Sequence, residues 1–327
     1  MRRGDLVEVR PAAEILATLD EGGALEGVIF MPEMIPYIGR RFTVSARVER
    51  VCDTINKEGR IRRMPDTVML DDLRCDGCGH GGCAAGCRLY WKEAWLRRVE
   101  SGWAEDGSQV DGDPSLTTLR HLSARSAKRL ETGEPLYRCQ ATDLVRATEP
   151  LGWWDVGSFW RELTCGNVSF WRFVSVCTRI LVEEIRRRAR LWEYPIKPTG
   201  RNAPPANLDI EPGAMVRVRS RAEIEDTLND AGKNRGLWFD REMLPYCGGT
   251  YRVKRRVERL IDEESGRMIE LKSDCLILDG VACQGHLSEG RWFCPRAIYP
   301  LWREAWLRPV EDPGRTRGDA RLRAESP

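Results

Sequence analysis

The decapeptide WKEAWLRRVE, Trp91 to Glu100, returns as WREAWLRPVE, Trp302 to Glu311, with eight of ten residues unchanged. Outward from it, GDLVEVR at Gly4 pairs with GAMVRVR at Gly213, and EMIPYIG at Glu33 with EMLPYCG at Glu242. VMLDDLRCDG at Val68 pairs with LILDGVACQG at Leu276. The offset stays between 208 and 211, so the ends of the chain are two copies of one module.

Each copy reads mainly as β. DLVEVR and RFTVSARVERV alternate apolar and polar residues with period two, as half-buried strands do. TVMLDD and CLILDG are short β-rich runs ending in turn chemistry, and AWLRRV closes the copy. Glu49 and Glu258 alternate along these strands and are expected on a solvated face. The paired tryptophans, Trp91 with Trp95 and Trp302 with Trp306, are expected to cover one end of a barrel. The expected class is therefore α+β, with two SH3-like small β-barrels flanking a mostly helical middle module. The boundaries read as 1–100 and 213–311 for the barrels, 101–200 for the helical module and 201–212 for a linker. Residues 312–327, DPGRTRGDARLRAESP in their neighbourhood, have the composition of a disordered tail.

Within the middle module, SLTTLRHLSARSAKRLET has helical spacing, and a short helix is expected from near Asp155 to Gly166-Asn167. The strongest helix lies in SFWRFVSVCTRILVEEIRRRARLWEY. Its apolar positions Phe170, Phe173, Val174, Cys177, Leu181 and Ile185 recur at helical intervals, and arginines load its C-terminal end.

Of 327 residues, 52 are basic and 50 acidic, and 12 are cysteine. Net charge is zero over residues 1–100 and +1 over 213–311, so neither copy has the basic excess of a nucleic-acid binder. No apolar run follows MRRGDLVEVR, and SFWRFVSVCTRILV is short and carries Arg172 and Arg179, so neither a secretory signal nor a membrane span is expected. A cytoplasmic location follows as the expectation, and there clustered cysteines point to metal rather than disulfides.

The cluster is RCDGCGHGGCAAGCR, Arg74 to Arg88. Cys75, Cys78, His80, Cys83 and Cys87 offer five soft ligands for the four tetrahedral corners that zinc requires. In the second copy Cys283 stands for Cys75, His286 for Cys78 and Cys294 for Cys83, while Ile298 replaces Cys87. Two readings stay open there: a vestigial site, or an open three-ligand site of the catalytic kind, with iron as an alternative metal and Asp279 or Glu304 as acid or base. Cys52, Cys139, Cys165 and Cys177 are isolated and read as small core residues.

The motifs MPEMIPYIG, RCDG…HGGC…C…WKEAWL and FCPRAIYPLWREAWL, with YRCQATDL between the copies, carry a resemblance. The chain resembles a bacterial family of duplicated small-barrel proteins that has no assigned activity. The resemblance covers both copies and implies Cys75, His80, Cys83 and Cys87 as the metal ligands, with Cys78 a spare. The chain departs from that pattern at Ile38, where PYIG replaces the PYCG that survives at Cys247.

Phosphate-loop, nucleophile-elbow, His-Glu-x2-His and dinucleotide fingerprints are missing from the sequence. The expected function is a zinc-stabilised binding or scaffold protein engaging a protein or peptide partner, with a metalloenzyme as the alternative.

Overall fold

Alternation in Leu6–Val9 puts Val7 and Val9 wholly inside, and the strand pairs on both sides, with Arg41–Arg47 and with Leu96–Arg98. The computed structural model describes residues 1–56, 61–99, 113–131, 134–152, 155–204, 206, 208–272 and 274–310. The expected tail 312–327 and residues 101–112 of the helical module lie outside the described residues.

The first copy builds a five-stranded antiparallel sheet in the order Trp91–Lys92, Thr67–Leu70, Arg41–Arg47, Leu6–Val9, Leu96–Arg98. The second repeats it as Trp302–Arg303, Cys275–Leu278, Thr250–Arg256, Met215–Val218, Leu307–Pro309. Even the register irregularity recurs, between Val44 and Ala46 and between Val253 and Arg255. Each copy also repeats a 3-10 turn before its last strand, Glu93–Trp95 and Glu304–Trp306. The overall class is α+β, but the sheets are open and do not close into the expected barrels. The edge strands Trp91–Lys92 and Trp302–Arg303 are only two residues long, and the 3-10 turn ends them before a closing ladder forms.

Both tryptophans of each copy are fully buried. Phe30 meets Trp95 edge-on at 5.2 Å between ring centroids, and Phe239 meets Trp306 at 5.4 Å. The indole N–H of Trp95 donates to Thr18 Oγ1 at 3.0 Å, and that of Trp306 to Thr227 Oγ1 at 2.8 Å. The acidic residue between the tryptophans also has a repeated role: Glu93 pairs with Arg47, and Glu304 with Arg256. Glu258 is exposed, whereas Glu49 is buried rather than solvated, because Arg47, Arg63 and Arg161 converge on its two oxygens at 2.8–3.1 Å.

Compactness divides the chain into two units that do not follow the repeat boundaries. One comprises residues 1–193 together with two excursions of the second copy, 259–270 and 283–298. The other comprises 194–258, 271–282 and the chain from 299 onward. The linker segment belongs to this second unit, where Ile210 enters the core and its N–H reaches Glu304.

Three helices occupy the middle. Pro114–Ser126 stops earlier than its spacing predicts, and Lys128–Glu131 instead pairs with Glu134–Tyr137. Val156–Thr164 is capped by Asp155, whose carboxylate accepts from Ser158 N–H. Phe170–Arg188 is capped by Ser169. Of the six apolar positions expected to pack, Phe173 stacks on Phe293 and Cys177 joins the same cluster. Phe170, Leu181 and Ile185 are 56–60 % exposed.

Removing the hydroxyl in Thr18→Val strands a buried indole N–H and is expected to cost about 1–3 kcal/mol in denaturant unfolding, with Thr227→Val doing the same to the second copy. Glu162 is fully buried and accepts from Asn167 at 2.6 Å, its other oxygen is unpartnered, and desolvation pushes its pKa up to about 8. Between the ordinary carboxyl value and about 8 the unfolded chain is ionised while the folded one keeps the proton, so stability falls as pH rises through that window. Glu162→Gln is expected to remove a decline of up to about 1.4 kcal/mol per pH unit, read from unfolding free energies of both proteins at a series of pH values.

Candidate metal centre

The Arg74–Arg88 loop is pinched shut at its base. Arg74 bridges Arg88, the Cys75 N–H donates to Cys87 O at 2.8 Å, and the Leu89 N–H to Leu73 O at 3.1 Å. Inside, His80 and Gly82 N–H groups both reach Gly77 O, and Cys83 N–H reaches His80 O. Gly77 has φ +80°, and a Cβ there would stand 2.2 Å from Cys83 O. Only glycine lets the two arms approach so closely, which explains the residue between the first two cysteines. The loop also leans on the first excursion of the second copy, Arg259–Glu270: Ala84 N–H donates to Arg259 O at 3.0 Å.

Beneath the loop lies a cavity of about 40 Å³. Cys75, His80, Cys83 and Cys87 line it, joined by Cys139, Tyr90 and Arg296. Backbone N–H groups are aimed at three of these sulfurs: Gly77 at Cys75, Ile261 at Cys83 (3.4 Å), and Ala141 and Thr142 at Cys139. Burial pushes the Cys75 thiol far up, Cys87 to about 12 and Cys139 to about 11; Cys87 and Cys139 raise Cys75 further, and Cys139 and Cys83 raise Cys87. A buried thiolate needs a cation, and a bound metal supplies it while displacing the proton.

Among the described residues, the groups of three or more potential ligands whose atoms lie within 4.8 Å of one another are Glu33–Cys75–His80 and Glu33–Asp76–Cys78. The first is dominated by a hydrogen bond. His80 Nδ1 is 2.7 Å from Glu33 Oε1, whereas two ligands about 2.0–2.1 Å from one tetrahedral zinc stand about 3.3 Å apart. His80 Nε2 faces the Arg138 carbonyl at 3.1 Å. Both ring nitrogens are thus engaged by protein acceptors, and the histidine ties the loop to the PEM turn and to the backbone just before Cys139. Cys78 is exposed, is not among the residues lining the cavity, and is pushed up to about 11 by desolvation and Asp76.

The second-copy loop keeps the backbone of the first. Cys283 N–H donates to Ile298 O at 2.8 Å, and Gly285, φ +65°, lies against Cys294 as Gly77 lies against Cys83. Its potential ligands do not converge. Cys283 is buried, and His286 Nδ1 faces the carbonyl of Gln284 at 3.0 Å. Cys294 sits beside Cys52, with the sulfurs 3.3 Å apart and the Cys52 N–H 3.2 Å from Cys294 Sγ. Of the pair, Cys52 is held down by the Cys294 thiol and Arg296, and Cys294 is pushed up by burial.

Cys139 therefore lines the cavity with the loop cysteines and Cys52 lies beside Cys294, although each reads as an isolated core residue in the sequence. Neither has a ligand-like spacing to the loop cysteines. A polar neighbourhood of turn residues around Cys139, RCQATD, is the local signal that separates it from a packing cysteine. Tyr90 and Arg296 carried no signal at all. The Tyr90 hydroxyl is buried without a hydrogen-bond partner.

Gly77→Ala forces both a positive φ and a backbone collision, and is expected to destabilise the first unit by at least about 1–3 kcal/mol and to disperse the thiols. Unfolding, together with the rate at which a thiol reagent titrates the cysteines, checks this. Compared with known proteins, the chain matches no family model, and neither a curated protein nor a solved structure matches it significantly.

Proposed function

We propose that the chain is a metal-binding protein whose first unit is closed by a thiophilic metal held in the cavity beneath the Arg74–Arg88 loop. The observation that carries this is the convergence of Cys75, Cys83, Cys87 and Cys139 on one cavity, with backbone N–H groups directed at three of the sulfurs. Thiolate-rich sites select zinc or iron–sulfur chemistry, and both suit a reducing compartment such as the cytoplasm. Metal there would link the Arg74–Arg88 loop to the segment after Arg138, with Ile261 of the second copy donating its N–H to Cys83. The dispersal of Cys283, His286 and Cys294 speaks for a structural rather than an open catalytic centre.

A role as a binding scaffold is the accompanying proposal. The SH3-like reading of each copy is supported by its four-strand meander, the return of the fifth strand beside the first, and the 3-10 turn before that last strand. Exposed Phe170, Trp171, Leu181 and Ile185 on one helix supply an apolar surface of the kind a protein or peptide partner covers. No helix among the described residues is long and apolar enough to cross a membrane.

Elemental analysis of protein purified without chelator tests the metal. Wild type and Cys283→Ser are expected to carry the same transition metal, whereas Cys83→Ser and Cys87→Ser lose it together with thermal stability. Metal-free wild-type protein whose melting temperature is unmoved by Cys83→Ser would overturn the reading.

A further inference from the structure

The shape of the sulfur set says which kind of metal centre it fits. Four thiolates about 2.3 Å from one zinc stand about 3.8 Å from each other. Here no three of Cys75, Cys83, Cys87 and Cys139 lie within 4.8 Å of one another, yet all four line the same cavity. The cavity they line, about 40 Å³, exceeds the roughly 10–15 Å³ that one water needs. Sulfurs that surround a space without closing on its centre suit a ligand that is itself several atoms wide.

We propose that this cavity holds an iron–sulfur cluster ligated by Cys75, Cys83, Cys87 and Cys139. The inference rests on reading the cavity as a metal site and specifies its occupant. An all-cysteine set is what such clusters take. His80 is not part of it, because Glu33 and the Arg138 carbonyl engage both of its nitrogens. The Ile261 amide donates to Cys83 Sγ at 3.4 Å, and the amides of Gly77, Ala141 and Thr142 face Cys75 and Cys139; donors to sulfur are how proteins stabilise the negative charge of a cluster. Tyr90 lines the cavity, and its buried hydroxyl has no acceptor among the described residues; a cluster sulfide or ligand thiolate would take that proton donor. Arg296 brings a buried positive charge to the wall, shared with Glu263. Met31, Ala85, Ala141, Ile261 and Ile298 supply the apolar remainder that keeps water from the iron. As each sulfur bonds to iron its thiol proton passes to solvent; no electron transfer is required for binding.

The test is anaerobic purification of the full chain from iron-supplied cells, followed by iron, zinc and acid-labile sulfide analysis and electron paramagnetic resonance after dithionite reduction. Equal iron and sulfide, at least about two of each per chain, with a reduced-cluster signal, is the expected result. Cys139→Ser is expected to lose most of the sulfide, while Cys78→Ser and His80→Gln retain it. Should Cys139→Ser prove insoluble, the wild-type iron-to-sulfide ratio and retention in His80→Gln decide instead. Zinc in place of iron, or iron without sulfide, overturns the cluster but leaves the metal site standing. Protein lacking any bound transition metal overturns both. Sulfide retained in Cys139→Ser but lost in His80→Gln overturns the ligand set.

Discussion

Gathering half-buried thiols around one cavity is the constraint to which the loop region of the first unit answers. A thiol removed from water resists ionisation, and a neighbouring thiolate makes it worse, as Cys87 and Cys139 do for Cys75 and as Cys139 and Cys83 do for Cys87. Packing alone gives no reason to collect four of them, since a small hydrophobe would fill the same space without the electrostatic cost. The fold nonetheless collects them, directs amide dipoles at three, and leaves a space between. The glycines of the loop serve the same end: Gly77 permits the approach to Cys83 that brings the two arms over one cavity.

Duplication explains how so short a loop obtains its surroundings. Both copies fold the loop alike, with the same neck hydrogen bond and the same glycine contact, so the backbone does not need sulfur at every corner. The first copy supplies Cys75, Cys83 and Cys87. The second lends its excursions, 259–270 and 283–298, to the first unit, and with them Ile261, Arg296 and Ile298 on the cavity wall. Cys294, the counterpart of Cys83, has a different task beside Cys52. One copy thus completes the other instead of repeating its chemistry.

Much of the fold was legible because its signals are local. Period-two alternation marked Leu6–Val9 and Met215–Val218, Asp155 marked a helix start, and the repeated Trp-x-Glu-Ala-Trp marked indoles that are buried at equivalent positions of the two copies. Barrel closure was not legible, because it depends on whether two short edge strands find each other rather than on any residue pattern. The exposed face of the Phe170–Arg188 helix was hidden for a related reason: helical spacing shows that an apolar stripe exists, not that anything covers it.

By itself the sequence determined the duplication, the α+β class, the main helices of the middle and the sulfur-rich loop, since each is written in local residue patterns. Only the tertiary structure decided that Cys139 joins the loop cysteines, that His80 turns to Glu33 and Arg138, and that Glu49 is buried among three arginines. These outcomes depend on partners 47 or more residues apart in the chain, or on which of several nearby charges a side chain meets. Spacing along the chain carries no record of such encounters; they follow from how the sheets, hairpins and loops pack.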